Sequence, residues 1–278
     1  MQDSDWLMGF LVFLLCVLCF GCTDQIPNQL TRDDLSLQSD VLQIDGMSEF
    51  LIDPTEFDEK YTSMIDPADF VPEIDNPFLP LTPGTTFIYE GETEEGLERT
   101  EVNVTRKTKI ILGVNCTGVR DRIWLDDKLK DRDWRNNEWT EDTLAWYAQD
   151  EDGNVWYFGE DSKDIEGGVV VSTADSWEAG VNGAKPGIVM KGTPKVGDVY
   201  RQSYAEGVAE DMDRVLSLNE SVDVPVGSFQ NCLKTMEWTP LEPDVIEHKF
   251  YAPGLGFILK VEVEAGAVSG ALVEVRRE

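Results

Sequence analysis

Trp146-Tyr147-Ala148-Gln149-Asp150-Glu151-Asp152-Gly153-Asn154-Val155-Trp156-Tyr157-Phe158 decides the fold. Two aromatic-rich runs flank five residues in which Gly153 can take a positive φ and Asp and Asn tolerate turn geometry. The stretch therefore predicts a β-hairpin. The same texture recurs from Asn76 onward. Short β-type runs at 85–90, 102–111, 119–125, 143–148, 155–158 and 169–172, then 199–204, 215–224, 232–238, 247–251, 257–263 and 271–275, are separated by Gly, Pro and Asp. Alternation such as Glu101-Val102-Asn103-Val104 implies that one face is wet. No regular βαβ spacing occurs. The expected architecture is mainly β, an antiparallel meander forming a half-barrel or sandwich in a single domain over 76–278. Its best short helix is expected over 205–213, Ala-Glu-Gly-Val-Ala-Glu-Asp-Met-Asp.

Upstream the texture differs. Residues 6–22 are 17 apolar residues without a charge, ending in Gly21-Cys22. A spanning helix needs about 20 such residues, so the run suits an export signal better. It is followed by polar Thr23-Asp24-Gln25 and resembles a bacterial lipoprotein signal with Cys22 as the lipidated residue. Cys19 and Phe20 depart from the Leu and small residue favoured there, and Asp3 and Asp5 stand where positive charge is usual. An uncleaved N-terminal anchor and a buried core helix are the alternatives. Both export readings put residue 23 onward outside the cytoplasm, anchored to the cell envelope or secreted.

Residues 23–75 carry fourteen acidic side chains against Arg32 and Lys60, which reads as an acidic tether. Within it Ile52-Asp53-Pro54-Thr55-Glu56-Phe57 recurs as Ile65-Asp66-Pro67-Ala68-Asp69-Phe70. In each copy Asp can cap and Pro can open a short helical turn, with an acidic residue near its N-terminus. Each turn presents an Ile and a Phe, to dock on the following domain or to bind a partner.

Over the whole chain 54 acidic residues oppose 23 basic ones, giving a net charge of −31 and a pI near 4.2. Such a surface repels a phosphate backbone, so nucleic acid is excluded as a partner. An aromatic content of 10% requires a packed core. Five cysteines are present; Cys16, Cys19 and Cys22 belong to the apolar run, leaving Cys116 and Cys232. In an oxidising compartment the expected outcome is one bridge between them, the alternative being two buried thiols.

Chemistry-bearing patterns are sparse. Asp150, Asp152 and Asn154 alternate like the opening of a calcium loop, but Asp161 stands where an EF-hand needs Glu, so only irregular calcium binding, with Glu160 or Asp161, is open. A solvated hairpin tip is the other reading. Glu210-Asp211 with Asp213, and Glu141-Asp142, are carboxylate pairs of the kind glycoside hydrolysis needs, though chance pairs are expected at this acidity. The only histidine, His248, is expected at the surface or a sheet edge, which gives no basis for a triad. Trp134 and Trp139 lie in an otherwise polar stretch and are candidates for ligand stacking.

Several longer blocks carry a family resemblance: 76–86 (NPFLPLTPGTT), 146–160 (WYAQDEDGNVWYFGE), 176–190 (SWEAGVNGAKPGIVM), 237–243 (EWTPLEP) and 251–256 (YAPGLG). Together they resemble a family of uncharacterised prokaryotic secreted proteins and lipoproteins over roughly 76–260, and the resemblance implies no activity. Three functions follow: a non-catalytic envelope lipoprotein binding a ligand or partner, a cation-stabilised surface protein, or a carboxylate-dependent hydrolase.

Overall fold

The computed structural model describes residues 65–93, 96–126, 139–263 and 268–278. Its strands are β1 (Phe70–Val71), β2 (Thr85–Thr93), β3 (Gly96–Ile111), β4 (Val114–Asp126), β5 (Glu141–Asp150) and β6 (Val155–Asp161). Next come β7 (Asp164–Glu166), β8 (Val169–Ser172), β9 (Trp177–Glu178), β10 (Lys185–Met190), β11 (Val199–Arg201) and β12 (Ser203–Tyr204). The last five are β13 (Met212–Val224), β14 (Gly227–Thr239), β15 (Glu242–Ala252), β16 (Gly256–Glu262) and β17 (Val268–Arg277). All pairings are antiparallel, so the mainly β meander expected from the sequence holds.

The sheet goes further than a half-barrel. β2 to β6 pair in order, β13 to β17 pair in order, and β17 returns to β2 through Leu272↔Tyr89. On the other side β6 pairs β10 at Tyr157↔Gly187, and β10 pairs β12 at Pro186↔Ser203. Two residues before β12 begins, β11 pairs β13 at Arg201↔Met212. The result is a nearly closed barrel-shaped sheet. At this seam Gly187 admits the neighbouring backbone; a Cβ there would lie 2.4 Å from the carbonyl carbon of Gln202.

The helix expected over 205–213 is absent. Ala205 and Ala209 form a bridge, Gly207 takes φ +70°, and the Gln202 N–H donates to Asp211 O. A left-handed Gly inside the segment turns it into the hairpin between β12 and β13. The second copy of the tether motif forms a single 3₁₀ turn at Pro67–Asp69, with the Asp66 side chain accepting from Ala68 N. Ile65 and Phe70 pack against the core, the Phe70 ring meeting Trp156 and Phe158 edge-on. β1 then pairs β5 through Phe70↔Asp150 and Val71↔Gln149. The first copy, at 52–57, and the run 6–22 lie outside the described residues.

Asn76 fixes the chain where it turns to enter the barrel. It is 1% exposed; its Nδ2 donates to Gly153 O and Lys191 O, and its Oδ1 accepts from Phe78 N and Leu79 N. Four satisfied side-chain bonds fix Asn76, and the chain runs on from it to Leu79 and Leu81, which line the interior cavity.

Candidate functional site

Cross-strand parity defines what the barrel encloses. Val102↔Asp121, Asp121↔Thr143, Tyr147↔Tyr157, Asp213↔Glu237, Glu237↔Glu247 and Lys249↔Lys260 are direct neighbours sharing a face. Val119, Tyr147, Tyr157, Glu237, Lys249 and Tyr251, from strands on opposite sides of the ring, line one cavity of about 50 Å³, so this face is the interior. The interior is apolar where Val102, Val104, Val119 and Leu233 meet. It is polar where Glu98, Asp121, Glu141, Glu160, Asp211, Asp213, Glu237 and Glu247 gather with Lys249 and Lys260. A ring of more than eight strands encloses more space than aliphatic side chains close, and Tyr, Glu and Lys fill it here.

Strand β14 shows why the sequence misleads. Thr235 and Glu237 point inward, while Met236 and Trp238 point outward and join Met212 and Ile246 in a second apolar cluster on the outer face. Both faces are covered, so alternation reveals that the faces differ without revealing which is inside.

Only part of the internal charge is compensated. Lys249 donates to Glu237 Oε1 and lies 3.9 Å from Glu247, and Lys260 lies 3.2 Å from Glu247. Burial works against the charge on Lys260, but Glu247 and Glu98 outweigh it and raise its pKa. The remaining acids are held toward the neutral form. Burial, followed by Glu237, pushes Asp211 up to about 7 and Asp213 well above the carboxylate range. Burial pushes Glu141 up to about 7, raises Glu160 further, and, with Glu141 nearby, raises Asp121 strongly. Some of these acids are well served: Glu160 accepts from the Tyr157 hydroxyl at 2.6 Å, and Glu141 from Thr143 at 2.7 Å. Asp211 Oδ2 accepts from Ser203 at 2.6 Å and Asp213 Oδ2 from Gln202 at 2.9 Å. Asp211 Oδ1, Asp121 Oδ1 and the Tyr200 hydroxyl have no partner in the described protein.

Most of the residues singled out from sequence fall elsewhere, although Glu141 and Glu160, named there for other roles, lie inside. Cys116 and Cys232 are not bridged; both are free and buried, on β4 and β14, which are not neighbouring strands. The hairpin tip does not gather its oxygens around a common point. Asp150 Oδ1 accepts from Asn154 N, and its Oδ2 from Asn154 Nδ2 and Trp156 Nε1, while Asn154 Oδ1 accepts from Gly192 N. Its oxygens are consumed by the turn itself. Asp152 is exposed, and Asp161, paired with Lys163, sits at the far end of β6, roughly 20 Å along the strand. Among the described residues no group of three or more His, Cys, Asp or Glu converges as metal ligands.

Trp139 meets Trp124 edge-on, and the Arg122 guanidinium lies 4.4 Å from its ring centre; Trp134 and Cys22 lie outside the described residues. Asp142 points outward to Arg120 and Arg122, separated from inward Glu141 by strand alternation, so the two do not form a pair. His248 is not at an edge. It sits mid-sheet between Met236 and Val261, where burial and then Lys234 push its pKa down to about 4. Asp211 and Asp213 are brought together as named: Asp211 lines the cavity, and both are buried on the polar side of the interior. Glu141, Glu160 and the Glu237–Glu247–Lys249–Lys260 group were missed as a set.

Fold and site together define a nearly closed antiparallel barrel with a carboxylate-rich interior. No family model matches the chain, and no curated protein does. A presumed exported protein with a YmcC-like fold from Bacteroides fragilis matches with TM-score 0.38 at 16% identity, over 72% of this chain and 99% of that one. A presumed lipoprotein from Parabacteroides distasonis matches with TM-score 0.38 at 11% identity, over 72% of this chain and 99% of its own. Likeness of this degree carries no inference about the present chain. No helix among the described residues is long and apolar enough to cross a membrane.

Proposed function

We propose that this chain is a non-catalytic, membrane-anchored extracytoplasmic lipoprotein, lipidated on Cys22, whose barrel interior binds a small ligand or a partner's side chain. Membership of the secreted and lipoprotein family that its sequence blocks resemble belongs to the same reading. The charge-free run 6–22 ending at Gly21-Cys22 supports export and anchoring, and the acidic stretch behind it supports a spacer that stands off an anionic surface. The observation that carries binding is the cavity of about 50 Å³ with Asp211 in its wall, one carboxylate oxygen lacking a donor.

Size argues against the hydrolase reading. Small-molecule sites usually enclose about 300–1,000 Å³, so this cavity accepts a head group and no sugar chain. The test is native mass spectrometry of the full chain extracted from its own host in mild detergent. A lipid adduct lost in Cys22→Ser, together with a retained small molecule lost in cavity-filling Leu79→Trp, is expected. An unlipidated chain with no retained mass overturns the proposal.

A further inference from the structure

We propose that the barrel cavity binds a primary ammonium group on a short alkyl stem, with Asp211 as its counter-ion. This rests on the interior being a binding site and narrows that reading to one ligand class. Asp211 is 3% exposed, and Ser203 satisfies only one of its oxygens, while Oδ1 has no donor. The nearest lysine does not fill that role: Lys249 is bonded to Glu237 and influences Asp211 through space. An ammonium group brings three donors and the missing positive charge to that oxygen.

The rest of the wall suits an organic cation. The rings of Tyr147 and Tyr157 stack at 5.0 Å, those of Tyr251 and Phe257 lie 5.7 Å apart, and all four residues line the cavity, giving it an aromatic wall. Leu79 and Val189 offer apolar contact to a stem. One water needs roughly 10–15 Å³, so the space matches about four heavy atoms. A bare metal ion would need converging oxygen ligands that the described residues do not supply, and Asp211, once ionised, repels an anion.

Binding is linked to pH, because the ammonium group displaces the proton of Asp211. The groups facing Asp211 are Ser203 on β12, Glu237 on β14, Lys249 on β15, and Tyr157 and Glu160 on β6, with Asp213 two residues on. Burial and then Glu237 favour its protonated form, with the Ser203 hydrogen bond and Lys249 opposing.

The experiment is calorimetry of the full-length, detergent-solubilised protein with ethylammonium chloride, against ethanol, sodium acetate and sodium chloride at matched ionic strength. Saturable single-site heat is expected with ethylammonium alone, at least threefold tighter at pH 8 than at pH 6. It should weaken at least tenfold in Asp211→Asn and stay unchanged in Asp142→Asn on the outer face. Should Asp211→Asn fail to fold, Leu79→Trp fills the same space from another wall and should abolish the heat. Absence of saturable heat at pH 8, equal heat from ethanol, or wild-type affinity in Asp211→Asn overturns the ammonium assignment. A neutral or anionic molecule retained in native mass spectra, with no ethylammonium heat, overturns this assignment alone; with nothing retained and no heat, the binding reading falls as well.

Discussion

Lys249 Nζ donates to Glu237 Oε1 inside the barrel, with 3% and 4% of the two side chains exposed. Removing one partner of such a pair leaves an uncompensated buried charge, a loss of about 3–5 kcal/mol. Lys249→Met should destabilise by that amount in urea titrations, because Glu237 and Glu247 then face each other directly. The double variant Lys249→Met/Glu237→Leu should recover most of the loss. A single variant as stable as wild type would mean the pair is already relaxed by solvent.

Stability should fall as pH rises. Asp211 and Glu141, raised to about 7 by burial, keep their protons in the folded state through a range in which the unfolded chain has already released them. The folded state therefore binds more protons between pH 4 and 7, and ΔG of unfolding decreases across that window. A melting temperature lower at pH 8 than at pH 5 is expected, and Asp211→Asn with Glu141→Gln should flatten the slope. A rise in melting temperature over this window would contradict the burial of these acids.

Both core cysteines should be inert while the protein is folded. Burial pushes the Cys116 thiol up to about 12 and the Cys232 thiol up to about 11, so neither offers thiolate near neutral pH. Peptide mapping after N-ethylmaleimide should find the two unmodified in native protein and labelled after urea, without a reductant. A peptide containing both, linked by sulfur, would refute this.

The barrel seam is intolerant of a methyl group. At Gly187 a Cβ would meet backbone atoms of Gln202 at 2.4 Å and Arg201 O at 2.5 Å, so β10 must move away from β12. Overpacking against backbone costs about 1–3 kcal/mol. Gly187→Ala should lose at least this much and speed amide exchange at Ser203. Gly183→Ala is a poor control, because its φ is +86° despite the open space around it; Val196→Ala at an exposed site serves better.

The 150–154 hairpin should behave as a hydrogen-bonded tip. Asp150→Ala removes the acceptor of three hydrogen bonds at once and should destabilise by about 2–4 kcal/mol at roughly 1 kcal/mol each. The loss should be the same with calcium or EDTA present; a calcium-dependent melting temperature would restore the metal reading.

How much of this was legible follows from what local sequence encodes. The 146–158 hairpin is local: aromatic strands and a Gly-containing turn dictate it, and β5 and β6 form there. Composition does not overrule geometry at 205–213, where an Ala- and Glu-rich segment looks helical but Gly207 and the pull of β12 on β13 close a turn. The internal acids were hidden for a different reason. Glu237 and Glu247 alternate with Met236 and Ile246 as surface residues would, and only barrel closure, a long-range property, turns the charged side inward. Asp211 was noticed for its neighbours in sequence, while the partners that matter, Ser203 and Glu237, arrive from other strands.

The two-residue strand β1 has a mechanical consequence. Within the described residues, the segment ahead of Asn76 meets the barrel through Ile65, the 3₁₀ turn, Phe70–Val71 against β5 and the Asp75–Gln149 hydrogen bonds, so tension entering at Ile65 loads the short β1–β5 ladder early. A ladder this short peels under low force, and the next stops are Asp75, bonded both ways to Gln149, and then Asn76 with its four side-chain bonds. These anchors stand between a pull at Ile65 and the strands that enclose the cavity.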